Sequence, residues 1–526
     1  KKGSMSTRNF KIICVCESVV LLSQLYFFDL MNFQISEGRS RAPFHFFRFV
    51  VYFGQNQGKS EETVMETIAA IATAQSPSAI GIVRLSGEET RRVLAALFTP
   101  VSGMAVEALP YRRMTYGDIR SADGTLLDRG MAVCFSAAHS YTGEESAELH
   151  CHGSPVVLSE VLQAAFAAGA RQARPGEFTQ RAFLNGKLDL TEAEAVIDLI
   201  DAETAESARN AAAQLSGALR RPIESVYDKL LDVSSRFYAV VDYPDEDIED
   251  LSREETERTL LCCEETLSDL LGTFARGKVL KNGVATAIIG APNAGKSSLL
   301  NALVGFDRAI VTDIAGTTRD TVEEKATVGG VLLRLIDTAG LHETDDLVEQ
   351  LGVERSKKAV EDADLILALL DGSTGLPASE ARAAKMLAPL ELAAKSGKPW
   401  LLLLTKSDLG GGAGIVPDKD WRTPEAIISL SSVTREGFEA LEAAIRTLYP
   451  APKGDTSLVT NARQADAIRR ALDSVRAAKD ALQSGMTPDV VLTEVEQAEN
   501  ALGELTGHTA REDMVARIFE RFCVGK

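Results

Sequence analysis

Cysteine is sparse and unpatterned: seven residues, at 14, 16, 134, 151, 262, 263 and 523, form no CxxC pair and no metal-ligand spacing. Free thiols in a reducing compartment follow, and a structural zinc site is disfavoured. Positive charge is also short. With 56 Lys and Arg against 75 Asp and Glu, the net charge is −19 at pH 7, which excludes a chain that coats nucleic acid non-specifically. Any RNA contact must come from a local basic patch. A clean membrane span is lacking as well. The apolar stretch from Phe10 to Met31 is broken by Glu17, Ser18, Gln24 and Asp29, and no small-residue cleavage site follows it. It is a poor span and a poor signal segment. Residues 1–64 are expected to be an extraneous or disordered leader, and the well-patterned sequence starts at Met65.

What is present centres on Gly290-Ala-Pro-Asn-Ala-Gly-Lys-Ser297, preceded by the apolar run Val284 to Ile289 and followed by a helical pattern through Leu303. Strand, glycine-rich loop and helix are the context in which this spacing binds phosphate. Gly290 and Gly295 let backbone N–H groups turn inward, Lys296 reaches the outer phosphates and Ser297 offers a hydroxyl to Mg²⁺. Four further segments fall in the order that GTP-binding proteins use. Asp313 to Asp320 is a polar loop whose Thr318 supplies a second Mg²⁺ ligand. Asp337-Thr-Ala-Gly340 ends the strand Val331 to Ile336. Thr405-Lys-Ser-Asp408 follows the strand Leu401 to Leu404, and its carboxylate can accept two hydrogen bonds from guanine that adenine cannot donate. Ser431 and Ser432 sit where a loop backbone meets the guanine carbonyl. The GTP contacts expected from this reading are Gly290, Asn293, Ala294, Gly295, Lys296, Ser297 and Ser298, then Thr312, Thr317 and Thr318. Asp337, Thr338, Ala339 and Gly340 follow, with Thr405, Lys406, Asp408, Ser431 and Ser432 on the base side.

Three departures shape the chemistry. Thr405 stands where most GTPases carry asparagine, and its shorter side chain is expected not to brace the phosphate loop or base, making affinity modest. No glutamine follows Gly340 to orient water, and no arginine is placed as a finger in cis. Both roles must come from elsewhere. Lys296 and Asp337 are expected to be essential for turnover.

The rest of the chain divides by pattern. From Met65 to about 185, short strands and turns alternate. They include Ala79 to Gly87 with the embedded Arg84, either a paired charge at the core edge or a ligand clamp. His150 and His152 share one face of a strand without a third ligand, so metal binding there is disfavoured. Arg174 to Lys187 packs charges around Gly176 and Gly186, which suggests a site. Thr191 with Glu194 reads as a capping box opening an Ala-rich helical region. The helical style resumes after Pro450. The expected organisation is therefore a multidomain α+β and α/β protein: an α+β domain at 65–185, an all-α domain from 186–281 plus 449–526, and a P-loop GTPase α/β module at 282–448 inserted into it.

Arg174 to Leu190, Pro292 to Asn301, Thr312 to Asp320 and the terminal Phe-Cys-Val-Gly-Lys526 together resemble the tRNA modification GTPases of the MnmE (TrmE) type, which belong to the K⁺-activated GTPases. The resemblance covers essentially all of 65–526, with Val524 in place of the usual isoleucine. It implies a bacterial, cytoplasmic enzyme that works with an MnmG-type flavoprotein to place an aminomethyl-type group on the wobble uridine of tRNA. A tetrahydrofolate derivative carries the one-carbon unit, and FAD and NADH enter only through the partner. By motif, Arg84, Glu148, Lys187 and Lys526 would contact folate, and Cys523 is a nucleophile candidate or a structural thiol. K⁺ would lie on Asn293, Thr312, Ile314 and Thr317, Mg²⁺ on Ser297 and Thr318, and Glu349 would orient attacking water. Without the resemblance, Glu349 reads as a solvated surface glutamate. The resemblance further implies a homodimer that joins the flavoprotein in a heterotetramer, with no membrane attachment. A ribosome-assembly GTPase shares the nucleotide motifs, but would be expected to carry a basic RNA-binding module or a second GTPase module, and neither is found.

Overall fold

The structure, a computed structural model, describes residues 66–242, 253–304, 324–336, 349–373, 380–410, 422–450, 458–509 and 512–525.

The N-terminal part is built on one sheet of seven strands: β1 (Ile68–Ile71), β2 (Ser78–Ser86), β3 (Phe98–Pro100), β4 (Thr115–Arg120), β5 (Leu126–Phe135), β6 (Ser146–Gly153) and β7 (Arg171–Gln172), in the order β3-β4-β5-β6-β2-β1-β7. Two helices, α1 (Thr90–Leu97) and α2 (Pro155–Ala167), supply side chains to the same core as its strands. Strand β6 shows why: Ala147, Leu149 and Cys151 point into that core while Glu148, His150 and His152 alternate outward with period two. Helix α3 (Glu177–Leu184) closes this part.

Helices then take over: α4 (Leu190–Ile200), α5 (Ala205–Leu215), α6 (Arg220–Asp242), α7 (Arg253–Gly272) and α8 (Phe274–Asn282). The capping box at α4 differs from the sequence expectation. Asp189 is the N-cap, accepting from the Glu192 N–H at 2.7 Å while Glu192 accepts from the Asp189 N–H at 2.9 Å. Thr191 instead donates its hydroxyl to Asp189 at 2.8 Å. The helix starts two residues earlier than the Thr-x-x-Glu spacing suggested, because Leu190 is drawn into the core with Phe519 and Phe522.

The chain next enters a second sheet: β8 (Val284–Gly290), helix α9 (Lys296–Val304), β9 (Glu324–Val328), β10 (Val331–Ile336), α10 (Glu349–Asp362), β11 (Leu365–Asp371), α11 (Glu380–Lys395), β12 (Trp400–Thr405), β13 (Ala426–Ser429) and α12 (Phe438–Leu448). Strand order is β13-β12-β11-β8-β10-β9, with every neighbouring pair parallel except β10 with β9. Buried on both faces, β8, β11 and β12 are near-continuous apolar runs. Helices α9 and α12 share one core with the sheet, α10 and α11 another.

Beyond it come α13 (Ala462–Gln483), α14 (Pro488–Thr506) and α15 (Glu512–Phe519). Helices α6, α7, α13 and α14 bury one continuous apolar cluster, so residues far apart in sequence form a single helical body. Entry to and exit from the second sheet lie side by side. A Cβ on Gly277 would stand 2.0 Å from the Val459 carbonyl oxygen, and the Thr273 hydroxyl accepts from the Val459 N–H at 3.0 Å. Leu458 is held through both backbone groups by Asn210 and Gln214. No helix among the described residues is long and apolar enough to cross a membrane.

Candidate functional site

The central strand β8 delivers the chain into the phosphate loop at its carboxyl end, the edge at which open parallel sheets bind ligands. Gly290 can only be glycine: a Cβ there would lie 2.9 Å from the Leu369 carbonyl oxygen on β11. Asn293 takes a left-handed backbone with φ of 62°, and Gly295 has φ of 90°. These positions turn the loop so that α9 begins at Lys296. The Lys296 ammonium folds across the loop, donating to the carbonyls of Gly290 at 2.9 Å and Ala291 at 3.0 Å. Burial pushes its pKa down, a cost that an anion beside it would relieve. Ser297 and Ser298 are exposed on the first turn of α9, and Ala294 is buried beneath the loop. The donor set suits a polyphosphate: a cation, a helix start and a turned-in loop backbone converge on one mouth.

The base side is built at the ends of β12 and β13. Thr405 is fully buried, and its hydroxyl donates to the Ala294 carbonyl at 2.8 Å, with the Leu370 carbonyl at 3.2 Å. This corrects the expectation that a threonine is too short to brace the phosphate loop. The β12 end approaches Ala294 so closely that a longer side chain is unnecessary. Lys406, with φ of 61°, ion-pairs with Asp371 at 2.7 Å. Burial raises the Asp371 carboxyl, but Lys406 and the N–H and hydroxyl of Ser373 outweigh it and hold it below the usual range. Sequence reasoning missed Asp371, although an aspartate ending an apolar parallel strand is a signal that could have found it. The Ser407 N–H donates to the Leu430 carbonyl at 3.3 Å, drawing the Thr405–Asp408 turn against the Ser431 loop. There the Ser431 hydroxyl accepts from the N–H groups of Val433 and Thr434. Asp408 stands exposed and Ser432 half-buried on the same rim.

Thr312, Ile314, Thr317, Thr318, Asp337, Thr338, Ala339 and Gly340 lie outside the described residues. Glu349 opens α10, and only its backbone is described.

A second set of groups sits on the N-terminal sheet. Arg84 on β2 faces Glu148 on β6 and grips one carboxylate oxygen with Nε at 3.1 Å and Nη2 at 2.9 Å. The other oxygen pairs with His150 at 3.2 Å. The Arg84 guanidinium also lies 5.9 Å from the Tyr141 ring and 5.7 Å from that of Phe178. Both Arg84 and Glu148 open into a cleft of about 120 Å³ with Phe135, His139 and Tyr141. Lys187 donates to the Ala138 carbonyl at 2.9 Å, beside His139. His152 is tied separately to Asp128 at 2.8 Å, and no cluster of three metal-ligating side chains exists among the described residues. The charges of Arg174 to Lys187 are mostly consumed internally: buried Glu177 and Arg181 pair with Arg171, Glu144 and each other.

The C-terminal tail joins this region. Val524 bridges to Pro175, the Cys523 carbonyl accepts from the Gly176 N–H at 3.3 Å, and Gly525 lies so close to Ile71 that a Cβ would stand 2.3 Å from its carbonyl oxygen. Ile71 ends the strand that pairs with the Arg84 segment of β2. The Cys523 side chain is exposed, and Lys526 lies outside the described residues.

A mostly parallel sheet with a glycine-rich phosphate loop at its central strand, and a Lys406–Asp408 turn beside it, defines a P-loop GTPase. The comparisons with known proteins add the family. A profile described as the MnmE helical domain matches residues 190–523, and one described as the GTP-binding protein TrmE N-terminus matches 67–187. The tRNA modification GTPase MnmE of Lactobacillus delbrueckii subsp. bulgaricus is 42% identical over 475 residues, covering 88% of this chain and 99% of that protein. That of Symbiobacterium thermophilum is 41% identical over 461 residues, with the same coverage. Among solved structures, a GTP-binding protein from Sulfolobus solfataricus in complex with GDP overlaps 43% of this chain and 66% of its own at 16% identity and a TM-score of 0.24, too loose to carry weight. The chain belongs to the MnmE family of tRNA modification GTPases.

Proposed function

We propose that the chain hydrolyses GTP in a K⁺-dependent manner and couples that hydrolysis to folate-dependent, aminomethyl-type modification of the wobble uridine of tRNA. It would work as a cytoplasmic homodimer with an MnmG-type flavoprotein that brings FAD and NADH. Family membership and the sequence motifs support this reading. The observation that carries it is that the tail from Cys523 to Gly525 rests against the strand paired with Arg84, which brings the C-terminal motif to the region of the ion-paired cleft.

Within the GTP site, Lys296 neutralises charge that grows on the phosphates and Glu349 aligns water. Mg²⁺ would be held by Ser297 and Thr318, and K⁺ by Asn293, Thr312, Ile314 and Thr317. Ser297, on the first turn of α9, and the left-handed turn at Asn293 fit such roles, and these cations would supply positive charge to the phosphates. In the second site Arg84, Glu148, Lys187 and Lys526 would hold the folate. Because entry and exit of the GTPase module are fixed at adjacent points on the helical body, a change at the nucleotide can be passed to that body as a rotation. Mass spectrometry of the wobble nucleoside in cells lacking the protein tests the proposal. Loss of the aminomethyl-type substituent is expected, and unchanged uridine modification would overturn it.

A further inference from the structure

Helices α4, α13 and α15 enclose a second cleft, of about 270 Å³, lined by Glu194, Asn461, Arg463, Arg517, Ile518 and Arg521 among others. Its charges are unevenly spent. Glu194 accepts from Asn461 Nδ2 at 3.0 Å, from Arg463 Nε and Nη2 at 2.9 Å each, and from Gln464 Nε2 at 2.8 Å. Arg463 uses its remaining donors on the carbonyls of Glu504 and Leu505. That carboxylate and that guanidinium are thus saturated by each other and by the helices they join.

Arg517 and Arg521 are different. They stand one helical turn apart, both exposed, and neither has an ion-pair or hydrogen-bond partner for its side chain among the described residues. Arg517 lies in the last turn of α15 and Arg521 just beyond it, so like charges face each other at a spacing that weakens a helix unless an anion lies between them. Ile518 gives the same wall an apolar patch. In a chain of net charge −19, this is an accumulation of positive charge inside a concavity, unpaired among the described residues. Guanidinium forks match phosphate oxygens two at a time, which an ammonium cannot do. Arg521 is also only two residues from Cys523, whose carbonyl is fixed to Gly176.

We infer that this cleft binds the phosphodiester backbone of an RNA strand through Arg517 and Arg521 and so holds the tRNA next to the C-terminal tail. The inference rests on the tRNA reading above. Neither arginine belongs to the GTP site, so replacing them leaves basal GTP hydrolysis intact.

The test uses the full chain and a fluorescent, unmodified anticodon stem-loop hairpin, titrated across a salt series. Each phosphate contact in single-stranded RNA contributes about 0.7 to the slope of log affinity against log salt, so R517Q/R521Q should flatten the slope by about 1.4. Between 50 and 200 mM salt the wild type should therefore lose roughly sevenfold more affinity than the variant. R517K/R521K should keep the slope while weakening binding, since charge remains and the fork is lost. An R517Q/R521Q protein with wild-type melting temperature and GTPase rate, and an unchanged affinity and slope, would overturn the cleft assignment alone. Failure of the wild type to bind the hairpin would overturn the tRNA reading and the assignment together.

Discussion

The Thr405 hydroxyl lies 2.8 Å from the Ala294 carbonyl oxygen, tying the end of β12 to the phosphate loop through one buried hydrogen bond. Thr405→Val keeps the volume and removes the donor, leaving a buried carbonyl with less than it had. Such a loss costs about 1–3 kcal/mol. Part of it should appear in binding: GTP affinity is expected to drop about tenfold by calorimetry, while Thr405→Ser stays near wild type. Equal affinities for the valine variant and wild type would show that the two loops are not coupled.

The apolar runs of β8, β11 and β12 and the glycine spacing were readable because each is local: a strand buried on both faces needs only its own residues to announce it. The Thr405 contact is not legible in the sequence because it depends on how near β12 comes to Ala294, a distance fixed by strand pairing across β11 and not by any neighbour in sequence. The pairing of Asp371 with Lys406 is illegible for the same reason, since the two residues are 35 apart and meet only through the β11–β12 register. In the N-terminal domain Arg84 was open to two readings. Its pairing with Glu148 needed the antiparallel β2–β6 register, which no local pattern encodes.

Asp408 stands exposed on the rim beside the Lys406–Asp371 pair. A carboxylate there would accept from the ring N–H and the exocyclic amine of guanine, so GTP should outcompete ATP widely. Asp408→Asn turns one acceptor into a donor suited to the 2-oxo group of xanthine. Affinity for GTP should fall by two orders of magnitude or more, and xanthosine triphosphate should be bound instead. A competition titration with GTP, ATP and xanthosine triphosphate reads all three. An unchanged nucleotide order would remove Asp408 from the base site.

Asn293 holds a left-handed backbone in the phosphate loop, and α10 starts at Glu349. If these residues serve the K⁺-dependent chemistry proposed above, hydrolysis in Na⁺ buffer at matched ionic strength should fall well below that in K⁺. Asn293→Ala should abolish the difference. Glu349→Ala should lower kcat by about 100-fold or more with GTP affinity nearly intact, the signature of a group acting on the transition state. A parallel loss of rate and affinity would instead make Glu349 a structural residue. Single-turnover kinetics in the two salts, run beside equilibrium binding, separate the cases.

Glu177 ties the N-terminal domain together from α3. Its side chain is 3% exposed and bonds Arg171 at 2.8 Å, the Arg174 N–H at 2.9 Å and Arg181 at 3.1 Å. Burial alone would raise its carboxyl, yet these three donors outweigh burial and hold it at about 2, below the ordinary 4.5. Because the folded value lies below the unfolded one, the ionised carboxylate stabilises the fold above pH 4.5, and that contribution is lost as pH falls from 4.5 towards 2. Glu177→Gln removes the buried carboxylate that Arg171 and Arg181 share, but Arg171 keeps Glu66 and Arg181 keeps Glu144, so the loss at neutral pH is about 1.5–3 kcal/mol, the scale of charge-assisted hydrogen bonds. Thermal denaturation should therefore show a large gap between wild type and Glu177→Gln at pH 7 that narrows steadily below pH 4.5, because protonation makes the wild-type side chain resemble the amide. A gap that stays constant from pH 7 to pH 3 would mean that Glu177 acts through shape and hydrogen bonding alone, with its charge contributing nothing.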